Sequence, residues 1–270
     1  MEFLYIIRRE RIFVKSLWNS FKIAFSMFSK IPMPQAEWTK ENMKYMFCFF
    51  PFIGTAIGAL TLVVSWAAGY LGLNVLFLSV ILTVVPVLVT GGIHVDGLLD
   101  TADALSSWQE RKRRLEILKD SHAGAFAVIT ACVYFLCWLG AWSEICFDVR
   151  LTMIMALGFM VSRCFSGIGV LTLPKAKEEG TVAEFSRKSE NVAVRNTLVV
   201  YLVLLCGLMI WIYPVIGGAA FLTACLVFFY YRYMAMKYFG GTTGDLSGWF
   251  LCLCEVGMAL VIAVVSAFPV

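Results

Sequence analysis

Seven stretches of mostly apolar residues constrain the fold more than any other feature of this sequence. A helix needs about 20 such residues to cross a bilayer. Because 60% of the residues are apolar and only 15% are charged, the chain has more apolar surface than a soluble core of this size can bury. The sequence therefore predicts an all-α, polytopic membrane bundle. It excludes a disordered chain, a nucleic-acid-binding domain and a disulfide-framed secreted domain. The predicted spans are residues 46–71, 73–92, 123–142, 150–173, 197–217, 218–238 and 248–269.

The first 45 residues carry an amphipathic segment rather than a wholly apolar one. Three lysines interrupt residues 12–31, so we expect this segment to form a helix in the membrane interface. We interpret residues 1–270 as one membrane-embedded domain. It comprises an N-terminal cytoplasmic or interfacial segment, residues 1–45, and a transmembrane bundle over residues 46–269.

The distribution of lysine and arginine predicts the orientation of these spans. Residues 1–45 hold eight basic residues, 94–122 hold five and 174–196 hold five. With Arg232 and Lys237, 20 of the 22 basic residues lie on one side of a seven-span arrangement. We therefore expect a multi-pass protein of a bacterial cytoplasmic (inner) membrane, with its N-terminus and active site in the cytoplasm and its C-terminus outside.

A dense acidic cluster follows the second predicted span. Asp96, Asp100 and Asp103 are spaced i, i+4, i+7, so a helix would place all three carboxylates on one face. Carboxylates stacked in this way repel one another unless a cation lies between them. Ligand sets made only of oxygen favour Mg²⁺, with Mn²⁺ as the alternative. His94 stands beside this cluster, and a lone histidine there more often hydrogen-bonds an acid than binds a metal.

A second polar segment, Gly240-Gly241-Thr242-Thr243-Gly244-Asp245, interrupts the apolar sequence before the last span. Small residues at a helix N-terminus suit a phosphate group, while Asp245 is also suited to capping the following helix. Two charged residues lie inside predicted spans, Arg163 in the fourth and Glu255 in the last. Such residues are candidates for function, although each is equally suited to be the buried partner of the other.

Carboxylates that gather metal, glycine turns and cations on one face together suit phosphoryl transfer, which depends on positioning and charge neutralisation. The residues by themselves indicate a cytoplasm-facing, metal-dependent transferase that acts on a phosphate or diphosphate substrate. The predicted catalytic loops are residues 90–122, 174–196 and 239–247.

The chain also resembles a known family along most of its length. The segment His94-Val95-Asp96-Gly97-Leu98-Leu99-Asp100-Thr101-Ala102-Asp103 is similar to a long and specific element of the cobalamin-5′-phosphate synthases, also called adenosylcobinamide-GDP ribazoletransferases. Similarity continues through Arg114–Ala125 and returns at Ser162-Arg163, at Leu173-Pro174-Lys175-Ala176-Lys177 and at Gly240–Asp245.

The resemblance implies an activity in assembling the cobalamin nucleotide loop. The 3′-hydroxyl of α-ribazole, or of α-ribazole 5′-phosphate, would attack the cobinamide-linked phosphorus of adenosylcobinamide-GDP, and GMP would leave with Mg²⁺ required. Asp96, Asp100 and Asp103 would hold the metal and act in catalysis. The remaining implied site residues are Asp120 and Glu116 as further ligands or base, Asp245 as a ligand, His94, Lys119, Arg163 and Lys175 beside substrate phosphates, and Gly240, Gly241, Thr242, Thr243 and Gly244 around them.

Two other interpretations stay open at this point. A CDP-alcohol phosphotransferase would use similar chemistry, but its Asp-x-x-Asp-Gly-x-x-Ala-Arg element is absent, since Asp103 follows Ala102. A secondary transporter would also place acids and glycine-broken helices in the membrane, yet near the midplane rather than at the helix ends. Candidate partners beyond the substrates are membrane lipid, further copies of the chain and other enzymes of the cobalamin pathway.

Overall fold

The computed structural model describes residues 2–120, 122–177, 184, 186–187, 189 and 191–268. Within these ranges the chain is helical and has no β-strand. The helices in chain order are α1 Glu2–Phe28, α2 Lys40–Met43, α3 Met46–Leu71, α4 Val75–Thr90, α5 Ile93–Ser106, α6 Arg111–Ile117, α7 Ala125–Ile145, α8 Val149–Thr172, α9 Asn191–Ile212, α10 Pro214–Met234 and α11 Gly244–Ser266.

The helices confirm the predicted polytopic bundle. In the described ranges six are long and apolar enough to cross a membrane: α3, α7, α8, α9, α10 with its π-helical extension to Phe239, and α11. The bent pair α4 and α5 makes a seventh if it is taken together, with a bend of 95° between the two. Helix α4 coincides with the predicted span at 73–92, whereas α5 turns away across the end of the bundle. The protein is therefore a multi-pass membrane protein.

The predicted boundary between the fifth and sixth spans is displaced by a proline. The sequence places this boundary between residues 217 and 218, but α9 ends at Ile212 and α10 begins at Pro214. Tyr213 between them is extended, with φ −155° and ψ 101°. A proline disfavours helical backbone at the preceding residue and fits the first turn of a helix, so the chain breaks here rather than at the following glycines.

Helix α8 lies at the centre of the bundle. Of its most apolar window 78% is buried inside the protein, compared with 28% for α7 and α9. Its closest neighbour is α3, which approaches through Gly54 and Gly58. A Cβ atom on Gly54 would lie 2.3 Å from the carbonyl oxygen of Phe159, and one on Gly58 would lie 2.7 Å from that of Ala156. The small-residue spacing thus marks a packing face, as membrane helices commonly use it.

We expect Gly54→Ala to destabilise the bundle, because the added methyl group has no space against the α8 backbone. The cost of such overpacking is about 1–3 kcal/mol in unfolding free energy. Gly69→Ala in the same helix is the matched control, since a Cβ there meets nothing within 4 Å. Thermal unfolding of the detergent-purified variants checks this, and a Gly54→Ala protein as stable as Gly69→Ala would contradict the close contact.

Candidate active site

Two glycines between α4 and α5 redirect the chain across the bundle end. Gly91 and Gly92 have φ values of +68° and +82°, the left-handed region that glycine adopts without steric cost. The N–H of Gly92 donates to the carbonyl oxygen of Val87 at 3.0 Å and closes the end of α4. Consequently α5, which carries the predicted acidic cluster, lies at 95° to α4 and follows the predicted span 73–92.

Helix α5 then touches the first turns of α11 almost backbone to backbone. A Cβ atom on Gly97 would lie 2.6 Å from the carbonyl oxygen of Asp245, and a Cβ on Gly248 would lie 3.0 Å from that of His94. Only glycine permits this approach from both sides. The crossing brings Asp96 and Asp100 of α5 next to Asp245, although about 145 residues separate them in the sequence.

The electrostatics of Asp100 show how close these carboxylates are. Burial, together with the negative charges of three neighbours, Asp96, Asp245 and Asp103, raises the pKa of Asp100 to about 6. Burial is the largest of these causes. Folding thus brings mutually repelling carboxylates close together, which is the arrangement expected where a cation or a cationic group is bound.

The described residues do not form a complete metal cage by themselves. No three acidic, histidine or cysteine side chains among them are close enough to hold a metal ion together. Mg²⁺ is usually held by one or two carboxylates, with substrate phosphates and water completing its shell. The oxygen-only donors Asp96, Asp100 and Asp245 fit that pattern, and the mutual repulsion at Asp100 is the observation that supports it.

Asp103 has a structural partner that the sequence does not reveal. Its two carboxylate oxygens accept hydrogen bonds from the N–H groups of Gly124 at 2.6 Å and Ala127 at 2.9 Å. These N–H groups belong to the start of α7, where a negative charge also meets the positive end of the helix dipole. Asp103 therefore ties α5 to α7, and its predicted part in metal binding stays a prediction.

The segment after α8 pairs with the glycine-rich loop before α11. Thr242 donates from its N–H to the carbonyl oxygen of Pro174 at 2.8 Å and accepts from the N–H of Ala176 at 3.0 Å. Gly241 is required here, because a Cβ would lie 2.5 Å from that same Pro174 oxygen. The pairing fastens the Pro-Lys-Ala-Lys element to the loop beside the aspartates.

Of the two lysines in this element, Lys177 is the one beside the aspartates. Burial lowers the pKa of Lys177, while the charge of Asp245 acts to raise it and that of Lys119 to lower it further. Lys177 is thus near Asp245, a position that the sequence did not predict, and the predicted role of Lys119 beside substrate phosphate stays a prediction. The ammonium of Lys175 instead donates to the carbonyl oxygens of Val170 and Leu173 at the C-terminal end of α8. The repeated lysine spacing after Pro174 was the sequence signal for Lys177.

Much of the glycine-rich loop is engaged in its own structure. The Thr243 hydroxyl caps α11 by accepting from the N–H of Leu246 at 3.1 Å. The Thr242 hydroxyl contacts those of Tyr231 and Ser247. The arginine of α6, Arg111, lies over Gly240, where a Cβ atom would collide with its guanidinium. The phosphate-binding role predicted for Gly240–Gly244 stays a prediction, and Gly244 borders the cavity described below.

The two charged residues inside the spans are each other's partners. A nitrogen of Arg163, Nη1, lies 2.7 Å from Oε1 of Glu255, and the Ser162 hydroxyl donates to the same oxygen at 2.8 Å. The same Arg163 nitrogen also donates to the carbonyl oxygen of Phe159 at 2.7 Å. Both side chains are buried, so the pair links α8 to α11 within the bundle.

The predicted ligands Glu116 and Asp120 are exposed and paired within their own segment. Glu116 accepts from Arg113 at 2.9 Å, and this hydrogen bond lowers the pKa of its carboxyl group. Asp120 accepts from the ring and the backbone N–H of His122, and these bonds lower its pKa. The negative charges that act on Asp100 come instead from the other aspartates. A role of Glu116 or Asp120 as ligand or base stays a prediction.

A cavity of about 180 Å³ adjoins the aspartate cluster. It lies among the ends of α1 and α8 and the beginnings of α3, α5 and α11. Asp96, Asp245 and His94 border it, and so do several phenylalanines. Fold and site together are those of a polytopic membrane protein whose acidic cluster and neighbouring lysines suit chemistry on a phosphate ester.

Comparison with known proteins identifies the family. The family model described as cobalamin-5-phosphate synthase matches residues 20–263, and the chain belongs to this family, whose members are enzymes of cobalamin biosynthesis. No solved structure matches the chain.

Three of its relatives carry the same name. The adenosylcobinamide-GDP ribazoletransferase of Lachnoclostridium phytofermentans is 44% identical over 91% of this chain and 94% of its own length. Proteins of the same name from Desulfitobacterium hafniense and Clostridium botulinum are 32% and 30% identical. They cover 95% and 90% of this chain and 97% and 96% of their own lengths.

We expect Asp103→Ala to lower the stability of the protein and Asp100→Ala to leave it undiminished. Removing the Asp103 carboxylate leaves two N–H groups of α7 without their cap, at a cost of about 1 kcal/mol. Removing the Asp100 carboxylate relieves repulsion and costs no stability. Thermal unfolding in detergent with a chelator measures both, and an equal loss in both variants would contradict the separate roles.

We expect Glu255→Leu to destabilise the protein by about 3–5 kcal/mol, because it leaves the Arg163 guanidinium buried without its counter-ion. The double variant Arg163→Met, Glu255→Leu removes both charges and should recover most of this loss. Unfolding temperatures of the two variants in detergent provide the comparison. If the single variant unfolded no earlier than the double one, the pair would not be a buried ion pair.

Proposed function

We propose that this chain joins adenosylcobinamide-GDP with α-ribazole, or with α-ribazole 5′-phosphate, and releases GMP. The observation that carries the proposal is the family match over residues 20–263, which spans every element of the site. The new bond forms between the ribazole 3′-oxygen and the cobinamide-linked phosphorus. The bond between that phosphorus and the GMP oxygen breaks, and the hydroxyl proton is transferred to a carboxylate of the cluster.

In this proposal the aspartates and the lysines of the site have different roles. One or two of the carboxylates of Asp96, Asp100 and Asp245 would hold Mg²⁺, with Mn²⁺ as the alternative, and substrate phosphate and water would complete its shell. When bound, the metal ion supplies positive charge to the phosphate oxygens. Lys177 is near enough to Asp245 and to Lys119 for their charges to act on it, and in this proposal the two lysines compensate the negative charge that develops on GMP.

Other residues position these groups rather than act on the substrate. Gly97 and Gly248 allow the close crossing of α5 and α11, and Asp103 holds α5 against α7. Arg163, which the sequence places beside substrate phosphate, holds α11 to α8 through Glu255. In this proposal its charge is already compensated inside the bundle.

We also propose that this end of the bundle faces the cytoplasm of a bacterial inner membrane. The ends of α1, α8 and α10 and the beginnings of α3, α9 and α11 lie here, because successive spans alternate in direction. The basic segments 1–45, 94–122 and 174–196 connect to the same helix ends.

Protein reconstituted in lipid should release GMP from adenosylcobinamide-GDP only when α-ribazole or its phosphate and Mg²⁺ are both present. We expect Asp100→Asn to lower kcat/KM by on the order of 10²-fold, the usual cost of removing one charge-stabilising group. Asp148→Asn is the matched control, because Asp148 caps α8 at the opposite end and asparagine caps a helix equally well.

The outcomes separate the alternatives. Absence of GMP release by well-folded protein would refute the proposed reaction, and full activity of Asp100→Asn would remove that residue from the site. Release of CMP from a CDP-alcohol would indicate the lipid phosphotransferase. Substrate uptake into vesicles without any nucleotide product would indicate the transporter.

A further inference from the structure

The cavity beside the aspartates has one polar and one apolar side. Asp96 and Asp245 form part of its polar side, where the proposed phosphate chemistry takes place. Ser166 and Ser247 also line the cavity. What we call its apolar side consists of six side chains without a nitrogen or oxygen atom, contributed by four different helices. These are Met27, Phe28, Phe47, Phe50, Val170 and Leu251.

The aromatic rings of this apolar side are arranged as a platform. The ring centres of Phe28 and Phe50 are 4.6 Å apart with their planes at 48°. The imidazole of His94 lies 6.5 Å from Phe28, with an angle of only 23° between the two rings. The planes of the two phenylalanines are too steeply inclined for one flat ring to stack on both, and Phe50 is buried, so the half-buried ring of Phe28 is the one available for stacking.

His94, which lines the cavity, carries a polar atom without a partner. Its Nε2 is buried and makes no hydrogen bond to any group in the described part of the chain. Buried polar atoms in native proteins nearly always have a partner, since leaving one unpaired is costly. A bound molecule with a hydrogen-bonding ring atom would satisfy Nε2.

We propose that this cavity binds the flat two-ring base of α-ribazole. The base stacks on Phe28 and lies against Phe50, its ring nitrogen that is not bonded to ribose accepts from Nε2 of His94, and the ribose points towards Asp96 and Asp245. The assignment rests on the proposed function, because it gives a subsite to the acceptor substrate of that reaction. It places the attacking hydroxyl at the polar side of the cavity.

The apolar side also predicts which base is preferred. An exocyclic amino group, as in adenine, would lose its water there without gaining a hydrogen bond from the six side chains. Methyl groups on the base would lose nothing. We therefore expect selection for a methylated benzimidazole over a purine.

A lipid chain is the main competing occupant. It would fill the phenylalanine side equally well, but it has no ring atom for Nε2 of His94 and no group suited to Asp96 and Asp245. The combination of a stacking platform, an unpaired imidazole nitrogen and two carboxylates in one cavity favours the nucleoside.

The first test makes the same substitution, phenylalanine to leucine, at two half-buried positions. Phe28→Leu removes a stacking ring from the cavity, and we expect the KM for α-ribazole to rise about tenfold while the KM for adenosylcobinamide-GDP stays unchanged. Phe221→Leu is the matched control, because Phe221 packs against Phe165 in α8 and does not border the cavity. The rate of GMP release at varied concentrations of each substrate gives both KM values for both variants.

A second variant tests the same subsite in case Phe28→Leu does not fold. Ile93 borders the cavity and is 40% exposed, so Ile93→Trp narrows the space without disturbing the interior. We expect it to raise the KM for α-ribazole as well. Active protein whose KM for α-ribazole is unchanged in both variants would overturn the base subsite and leave the proposed reaction standing.

A direct binding measurement tests the base subsite independently of turnover. Equilibrium dialysis of labelled α-ribazole, with a chelator and without any corrinoid, should show binding to the wild-type protein and about tenfold weaker binding to Phe28→Leu. The α-linked adenine nucleoside should bind more weakly than α-ribazole. If the protein binds α-ribazole in this way but releases no GMP, the reaction is refuted and the subsite is upheld. If GMP is released but both nucleosides bind alike, the predicted base preference is refuted.

Discussion

The backbone contact between α5 and α11 is the constraint on which the site depends. Gly97 and Gly248 leave no room for a side chain at the crossing, so the carbonyl of Asp245 lies against α5. That approach assembles carboxylates from two distant parts of the chain, and burial together with their charges raises the pKa of Asp100 to about 6. The left-handed turn at Gly91 and Gly92 directs α5 to this place. Burying like charges costs stability, and a site that binds cation and phosphate recovers that cost only when it is occupied.

The bundle also separates its charges by function. Arg163 and Glu255 neutralise each other where water is excluded, and their contact joins the central helix α8 to α11. The aspartates and lysines at the helix ends keep their charges near solvent, where a charged substrate can reach them. Helix α11 therefore contributes to both groups of charges. Glu255 in the buried ion pair fixes the position of α11, and Asp245 in the acidic cluster depends on that position.

Sequence reasoning predicted the helices and the acidic cluster well, because both depend on local patterns. The predicted span 46–71 coincides with α3, and Asp96, Asp100 and Asp103 do lie on one helix. The three aspartates do not share one role, however, because Asp103 caps α7. Lys177 was overlooked as a site residue, since nothing in its own segment shows that Pro174 pairs with Thr242 and brings it to Asp245.

The sequence by itself determined the spans, the family and the chemistry of the charged residues. A helix in a membrane must satisfy its own backbone hydrogen bonds and cover about 20 residues, so hydropathy along the chain is enough to locate it. Only the tertiary structure decided which charges meet. Arg163 and Glu255 are 92 positions apart and Gly97 and Gly248 still further, and their contacts follow from how helices cross rather than from any local pattern. For the same reason the cavity with its phenylalanines and the unpaired nitrogen of His94 becomes visible only in the folded bundle.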